Sequence, residues 1–290
     1  MDFTVAAAMC QPDQLLDIAR ATERAGWDAV AMPDAVFYPE TVSAEYPYTS
    51  DGSRFWSPDE PFVDPWVAIP AMAAVTDRIN FYTNVIKATL REPLLLAKTL
   101  SSAAAMYPGR IAVGVGMSWI PEEFEWLHTD MATRGQRLDE IIEVLRLTTS
   151  ANEMVSHSGP HYSFGRLQLS PVAPDPIPIY VGGHSKPALR RAASRGDGWI
   201  SALASVDDLA TYISTVHELL RENGRPIEGF KVAVTPFVMP EVSAVEQLAS
   251  IGVTDIITAP WYFYGGDPGA LDTKLASIDQ FAEEIIVAFR

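Results

Sequence analysis

The stretch Tyr180-Val181-Gly182-Gly183-His184-Ser185-Lys186-Pro187 has the clearest chemical content in the chain. A strand-like run empties into two glycines and then into a helix opened by a serine and a proline. Backbone N–H groups and the positive helix end therefore converge where a phosphate could sit. Lys186 and Arg190, one helical turn apart, add positive charge. The same pattern also describes an N-capped helix without a ligand, and His184 is either a donor at that site or a plain loop residue. Gly114-Val115-Gly116, running into Met117-Ser118-Trp119, likewise has two readings. Missing side chains let a flat ligand lie on the backbone, or they allow a tight, closely packed turn. A lone GxG lacks the third glycine and the acidic partner of the dinucleotide fingerprint, so a Rossmann site is disfavoured. Asp34, just past the second strand-like run, is a carboxylate at a ligand mouth or only a cap. Cys10 reads as a buried small side chain, and His128, His157 and His161 as solvated residues.

These residues need elements to hold them, and apolar periodicity supplies those elements. Short apolar or β-branched runs alternate with longer segments of helical period, the pattern of successive βαβ units on a parallel sheet. Strands are expected at 3–8, 29–32, 79–83, 111–115, 177–181, 198–201, 230–236 and 255–258. Helices are expected at 11–25, 65–76, 93–106, 134–149, 186–194, 206–223, 242–250 and 272–289. Joints of the type Ala25-Gly26-Trp27-Asp28 and Ile251-Gly252-Val253-Thr254-Asp255 put a glycine just past a helix, where the left-handed C′ position favours it. Eight strands in 290 residues fit a (β/α)₈ TIM barrel better than an open doubly wound sheet. No Pro/Ser-rich linker divides the chain, so residues 1–290 are read as one domain.

Two connections exceed ordinary length and both follow strands, at the end of a barrel where ligands bind. Residues 35–64 carry Phe37, Tyr38, Tyr46, Tyr48, Phe55, Trp56 and Phe62 among prolines and acids. They form either a hydrophobic lid or a packed insertion. Residues 151–178 hold extended pieces at 153–156 and 161–164, broken by Gly159, Pro160 and Gly165, and read as a small excursion.

Composition narrows the chemistry. One cysteine excludes an internal disulfide, and five histidines without ligand spacing argue against a metal site. Twenty-one basic against 37 acidic residues give a net charge of −16, which repels nucleic acid and anionic membrane surfaces. No apolar run approaches the roughly 18 residues of a membrane span, and the start Met1-Asp2-Phe3-Thr4 is unlike a signal peptide. A cytoplasmic protein is expected, with a small-molecule substrate and a second copy of the chain as partners.

The stretch Arg91-Glu92-Pro93 through Ala97-Lys98, followed by Tyr107-Pro108-Gly109-Arg110-Ile111-Ala112-Val113-Gly114-Val115-Gly116, resembles the third-helix and fourth-strand signature of luciferase-like flavin and deazaflavin oxidoreductases. Pro178-Ile179-Tyr180-Val181-Gly182-Gly183, with Ala188-Leu189 and Gly196-Asp197-Gly198-Trp199, resembles it too. Tyr46-Pro47-Tyr48, Asp51-Gly52 and Asp64-Pro65 are similar to a subgroup assigned to the deazaflavin F420. The resemblance covers essentially the whole chain. It implies a tricyclic coenzyme over the carboxyl ends of the strands, with its phosphate at Gly182, Gly183 and the helix start. Its ring would lie near Thr83, Asn84 and Val85, where relatives often have a non-prolyl cis peptide.

Departures from the pattern bear on the reaction. Where the sugar-phosphate-oxidising branch has Asp-His, this chain has Asp34-Ala35, and where that branch has an acid after the GxG turn, this chain has Trp119. Ala202-Leu203-Ala204-Ser205 offers no cation for a sugar phosphate. The resemblance then implies hydride transfer between F420 and a small organic substrate, as reduction of an activated C=C or imine, with Tyr48, Glu122 or water giving the proton. The alternatives are a flavin mononucleotide (FMN) monooxygenase using the same phosphate site and a non-catalytic flavin-binding protein.

Overall fold

The computed structural model of the chain describes residues 1–49 and 51–290. Nine parallel strands make the main sheet: β1 (Asp2–Ala6), β2 (Ala29–Met32), β3 (Asn80–Thr83), β4 (Ile86–Lys87), β5 (Val113–Gly116), β8 (Ile179–Gly182), β9 (Gly198–Ala204), β10 (Lys231–Pro236) and β11 (Asp255–Thr258). The remaining two, β6 (Val155–Ser158) and β7 (Ser163–Leu167), form an antiparallel hairpin. The order in the main sheet is β3-β2-β1-β11-β10-β9-β8-β5-β4. Its two end strands are successive pieces of one chain segment, interrupted by the cis peptide Asn84–Val85. A bridge from Phe81 to Ile111 joins β3 to the segment entering β5, so the sheet closes into the (β/α)₈ barrel.

The helices are α1 (Leu15–Arg24), α2 (Pro65–Ala73), α3 (Pro93–Met106), α4 (Pro121–Trp126), α5 (Arg134–Ser150), α6 (Lys186–Arg195), α7 (Val206–Glu222), α8 (Val242–Ser250) and α9 (Leu271–Glu284). Side-chain caps on orphan N–H groups fix several starts: Asp64 accepts from Trp66, Glu92 from Leu94, and Ser185 from Ala188. Gly26 and Gly252 take φ of +86° and +100° at the ends of α1 and α8, as the joints require.

Alternation along the strands sorts the core into two layers. Outward residues such as Phe3, Val5, Val30 and Met32 pack under the helices in one continuous cluster. Inside the barrel, Ala29, Ala31, Ala112 and Ala233 leave room for Tyr82 and Tyr180, whose rings meet edge to face at 5.6 Å. The amino end of the barrel is closed by a polar knot: Thr4 Oγ1 and Tyr82 Oη donate to the fully buried Asp255 at 2.8 and 3.0 Å. Lys231 Nζ joins Asp255 to Asp2.

Several boundaries differ from expectation. The first strand stops at Ala6 because Met9 turns into the left-handed region, with φ of 52°. That leaves Cys10 past the strand, still buried. The sixth barrel strand runs on to Ala204, because its far half pairs with Thr235 and Pro236. Helix α4 was not anticipated; its six residues are too few to show a period. The excursion is the β6–β7 hairpin, two residues later than expected. It is held by the buried Glu140 of α5, which accepts from His157 Nε2, His161 N and Tyr162 N at 3.0, 3.0 and 2.8 Å. His157 and His161 are therefore partly buried at that latch and not free in solvent.

Candidate active site

The carboxyl-end mouth is built around the break in the third barrel strand. Gly114 and Gly116 decide between the two readings of the GxG. A Cβ on Gly114 would lie 2.0 Å from the Thr83 carbonyl oxygen, and one on Gly116 would lie 2.5 Å from Val85 Cγ2. Thr83 Oγ1 donates to the Gly114 carbonyl at 2.7 Å and accepts from its N–H at 3.0 Å. These glycines make room for the strand break itself, and close packing explains them. Val85, so accommodated, packs on the inner cluster of the barrel.

Two ion pairs brace that break. Asp34 is bound at both oxygens by Arg91, at 2.7 and 2.9 Å, and it also accepts from the Lys87 N–H at 2.7 Å. A carboxylate held by a bidentate guanidinium and a backbone donor is a strut between β2 and the segment after β4. Three hydrogen bonds to its two oxygens give it a structural role at the mouth. Lys87 Nζ meets Glu123 Oε1 at 2.5 Å, with the Glu123 side chain 0% exposed, and Ser118 Oγ donates to the other oxygen of Glu123. The Ile120 N–H donates to Ser118 Oγ at 3.0 Å, which closes the turn after β5. Ser118 is therefore part of the frame. Lys87, Arg91 and Glu123 escaped sequence reasoning, since a charge in a loop carries no sign of its partner; the acidic pair Glu122-Glu123 at a proline-started helix was the available hint.

Glu122, expected as a proton donor, is differently placed. Its Oε1 accepts from the Ser43 N–H at 2.8 Å, tying α4 to the 35–64 loop, while Oε2 is buried with no partner among the described residues. Burial pushes its carboxyl up, but the hydrogen bonds from Ser43 and the Arg54 charge bring it net below the usual carboxylate range. At neutral pH it is a carboxylate and accepts rather than donates.

The 35–64 loop lies on the mouth through its aromatic rings. Tyr46 is the hub, edge-on to Tyr48, Phe55, Trp56 and Trp119 at 5.1–5.8 Å. Phe37 stacks on Trp126 at 5.4 Å. Burial pushes the Tyr46 hydroxyl up to about 12 and raises that of Tyr48 as well, so both stay protonated at neutral pH. Trp119 is a partner of this apolar cover. Met117 beside it is half-buried and packs on the outer core.

The turn after β8 partly matches the phosphate-site expectation. Gly183 has φ of +117°, but its N–H is not free: it donates to the Ile200 carbonyl at 3.3 Å, while Trp199 Nε1 donates to the Gly183 carbonyl at 2.8 Å. The N–H groups of His184, Ser185 and Lys186 have no protein acceptor among the described residues, and they precede the Ser185-capped start of the ten-residue α6. Lys186 and Arg190 are exposed. The His184 ring stacks on Tyr212 of α7 at 4.7 Å and 19°, with Nε2 2.9 Å from Ser201 Oγ. Burial holds its pKa below the ordinary histidine value, against the pull of Asp208. The structure therefore offers N–H donors on three successive residues, unpaired among the described residues, at a positive helix start, a donor set that suits an oxyanion such as a coenzyme phosphate.

The family model for luciferase-like monooxygenases matches residues 3–264. The chain belongs to that family. An uncharacterised protein of Mycobacterium tuberculosis is 38% identical over 291 residues, covering 99% of both chains. An F420-dependent glucose-6-phosphate dehydrogenase of Gordonia bronchialis is 30% identical over 216 residues, which is 72% of this chain and 58% of that enzyme. The crystal structure of the monooxygenase RslO1 from Streptomyces bottropensis superposes with a TM-score of 0.78, at 17% identity and full coverage of both chains, a likeness of fold. As a luciferase-like family member with an F420-dependent dehydrogenase among its homologues, the protein is an oxidoreductase.

Proposed function

We propose that the protein transfers a hydride between F420 and a small, partly apolar organic substrate, and that the favoured direction is reduction of an activated C=C or imine. The state of the carboxylates on the mouth carries the choice of direction. Asp34 is engaged by Arg91 and the Lys87 N–H and Glu123 by Lys87 and Ser118, while Glu122 accepts from Ser43 through one oxygen alone. Alcohol oxidation needs a base for the hydroxyl proton, and by the resemblance described above Ala35 and Trp119 stand where the sugar-phosphate-oxidising branch has its histidine and acid. Reduction needs only a proton, which the half-buried, protonated Tyr48 hydroxyl or water can give.

The N–H groups of His184, Ser185 and Lys186 would hold the coenzyme phosphate, and Thr83, Asn84 and Val85 would flank its ring. When bound, F420 supplies the hydride. The chain's own part is to fix the floor through the two ion pairs and to keep water out with the aromatic loop. F420 is preferred to FMN on the 30% identity to an F420-dependent enzyme and on the Tyr46-Pro47-Tyr48 and Asp64-Pro65 segments. Anaerobic mixing of the protein with reduced F420 and a panel of enones and imines tests this. Substrate-dependent appearance of oxidised F420, with no F420 reduction by glucose-6-phosphate, is expected. Turnover confined to reduced FMN with oxygen would replace it by the monooxygenase reading, and cofactor binding without turnover by a binding protein.

A further inference from the structure

The aromatic loop and the helix-start turn meet at a single side chain. Tyr48 stands edge-on to the His184 ring at 5.3 Å and 77°, and the face of that ring lies on Tyr212 at 4.7 Å. His184 is also the first residue of the turn with an unpaired N–H. Its backbone therefore faces any oxyanion held there, while its ring forms the seat of the loop.

The ring cannot respond independently of its backbone. Ser201 Oγ fixes Nε2 at 2.9 Å and is itself anchored by donating to the Ala202 carbonyl at 2.6 Å. Trp199 lies 6.1 Å from the imidazole and clamps the preceding residue through the Gly183 carbonyl. Gly183 joins the strand to the turn, with φ of +117° and its N–H bonded to the Ile200 carbonyl at 3.3 Å. Pairing the 184–186 N–H groups with an anion orders the peptide that orients the imidazole, and with it the surface on which Tyr48 rests. An edge-to-face aromatic contact of this kind is directional, so a tilted ring loses it.

We propose that His184 is a positioning residue that couples occupancy of the 183–186 turn to seating of the aromatic loop. Filling the turn closes the cover over the mouth, and an empty turn leaves the loop freer to open. The proposal rests on the coenzyme reading above for the identity of the anion. It does not depend on the hydride chemistry.

Hydrogen exchange of the Tyr46 amide reports the loop, because that N–H donates to the Gly52 carbonyl at 2.8 Å within it. Exchange is measured in wild type, His184→Ala and His184→Phe, each with and without F420, whose binding is followed separately by calorimetry. In wild type, F420 should slow Tyr46 exchange at least fivefold. At F420 concentrations that calorimetry shows to saturate each variant, His184→Ala should show no slowing, and His184→Phe, which keeps a flat ring, should restore it. Exchange in β1 and β11 is the control for intact barrels. Equal slowing in wild type and His184→Ala, or bound F420 without slowing in wild type, would overturn the coupling and leave the coenzyme reading standing. Failure of wild type to bind F420 in the calorimeter would overturn the coenzyme reading itself and the coupling with it.

Discussion

Replacing Glu123 by Gln tests whether the buried pair beside the strand break holds the mouth together. The glutamine keeps the shape but leaves the Lys87 ammonium, 12% exposed, without its counter-charge, and it weakens the bond from Ser118. Removing one partner of a buried ion pair costs about 3–5 kcal/mol, because the remaining charge stays desolvated. At about 2 °C per kcal/mol for a chain of this length, the melting temperature should fall by roughly 6–10 °C. The double change Lys87→Met with Glu123→Leu removes both charges and should recover most of that loss, since apolar groups of similar volume replace such pairs nearly neutrally. Calorimetric melting at pH 7 of wild type, the single and the double variant is the assay. A single variant within roughly 2 °C of wild type, or a double variant no better than the single, would refute the view that an uncompensated buried charge governs this region.

Gly183→Val should weaken coenzyme binding at least tenfold, about 1.4 kcal/mol, because φ of +117° disfavours a side chain and its Cβ would press on Ala188 at 3.1 Å; calorimetric titration of the folded variant reads this directly. Replacing residues 46–59 by a Gly/Ser bridge should leave the barrel folded and coenzyme bound while turnover collapses, since the rings removed cover the mouth; circular dichroism beside turnover separates this from unfolding. Glu140 stabilises the hairpin only when ionised. Burial raises its carboxyl, but hydrogen bonds from His157, Tyr162 and His161 bring it net below its ordinary value. A lowered folded pKa means stability present above the usual carboxylate range and lost as pH falls through the folded value. Glu140→Gln should therefore melt lower than wild type at pH 7 and converge with it in acid, and parallel curves at both pH values would contradict this.

The barrel was legible because its cues are local and repeated: apolar runs of strand length, helical periods, and glycines such as Gly26 and Gly252 where the left-handed turn needs them. The non-prolyl cis peptide at Asn84–Val85 was visible only through resemblance to a family, for no residue type there announces it. Gly114 and Gly116 looked equally like a ligand platform and a packing device, and their tight packing on Thr83 and Val85, each 31 residues away, appears only in the fold. Asp34 could not be separated from a catalytic carboxylate while Arg91, 57 residues on, was not yet beside it. Pairing between distant charges is set by the closed barrel, and a linear sequence does not display it. The His184–Tyr212 stack escaped for the same reason.

Titrating the purified, coenzyme-free protein with F420 and, separately, with FMN under identical conditions tests the central claim most directly. Saturable F420 binding at least tenfold tighter than FMN binding is expected, lost together with the donor turn in Gly183→Val. Tighter binding of FMN, with F420 failing to compete for it, would contradict the deazaflavin assignment.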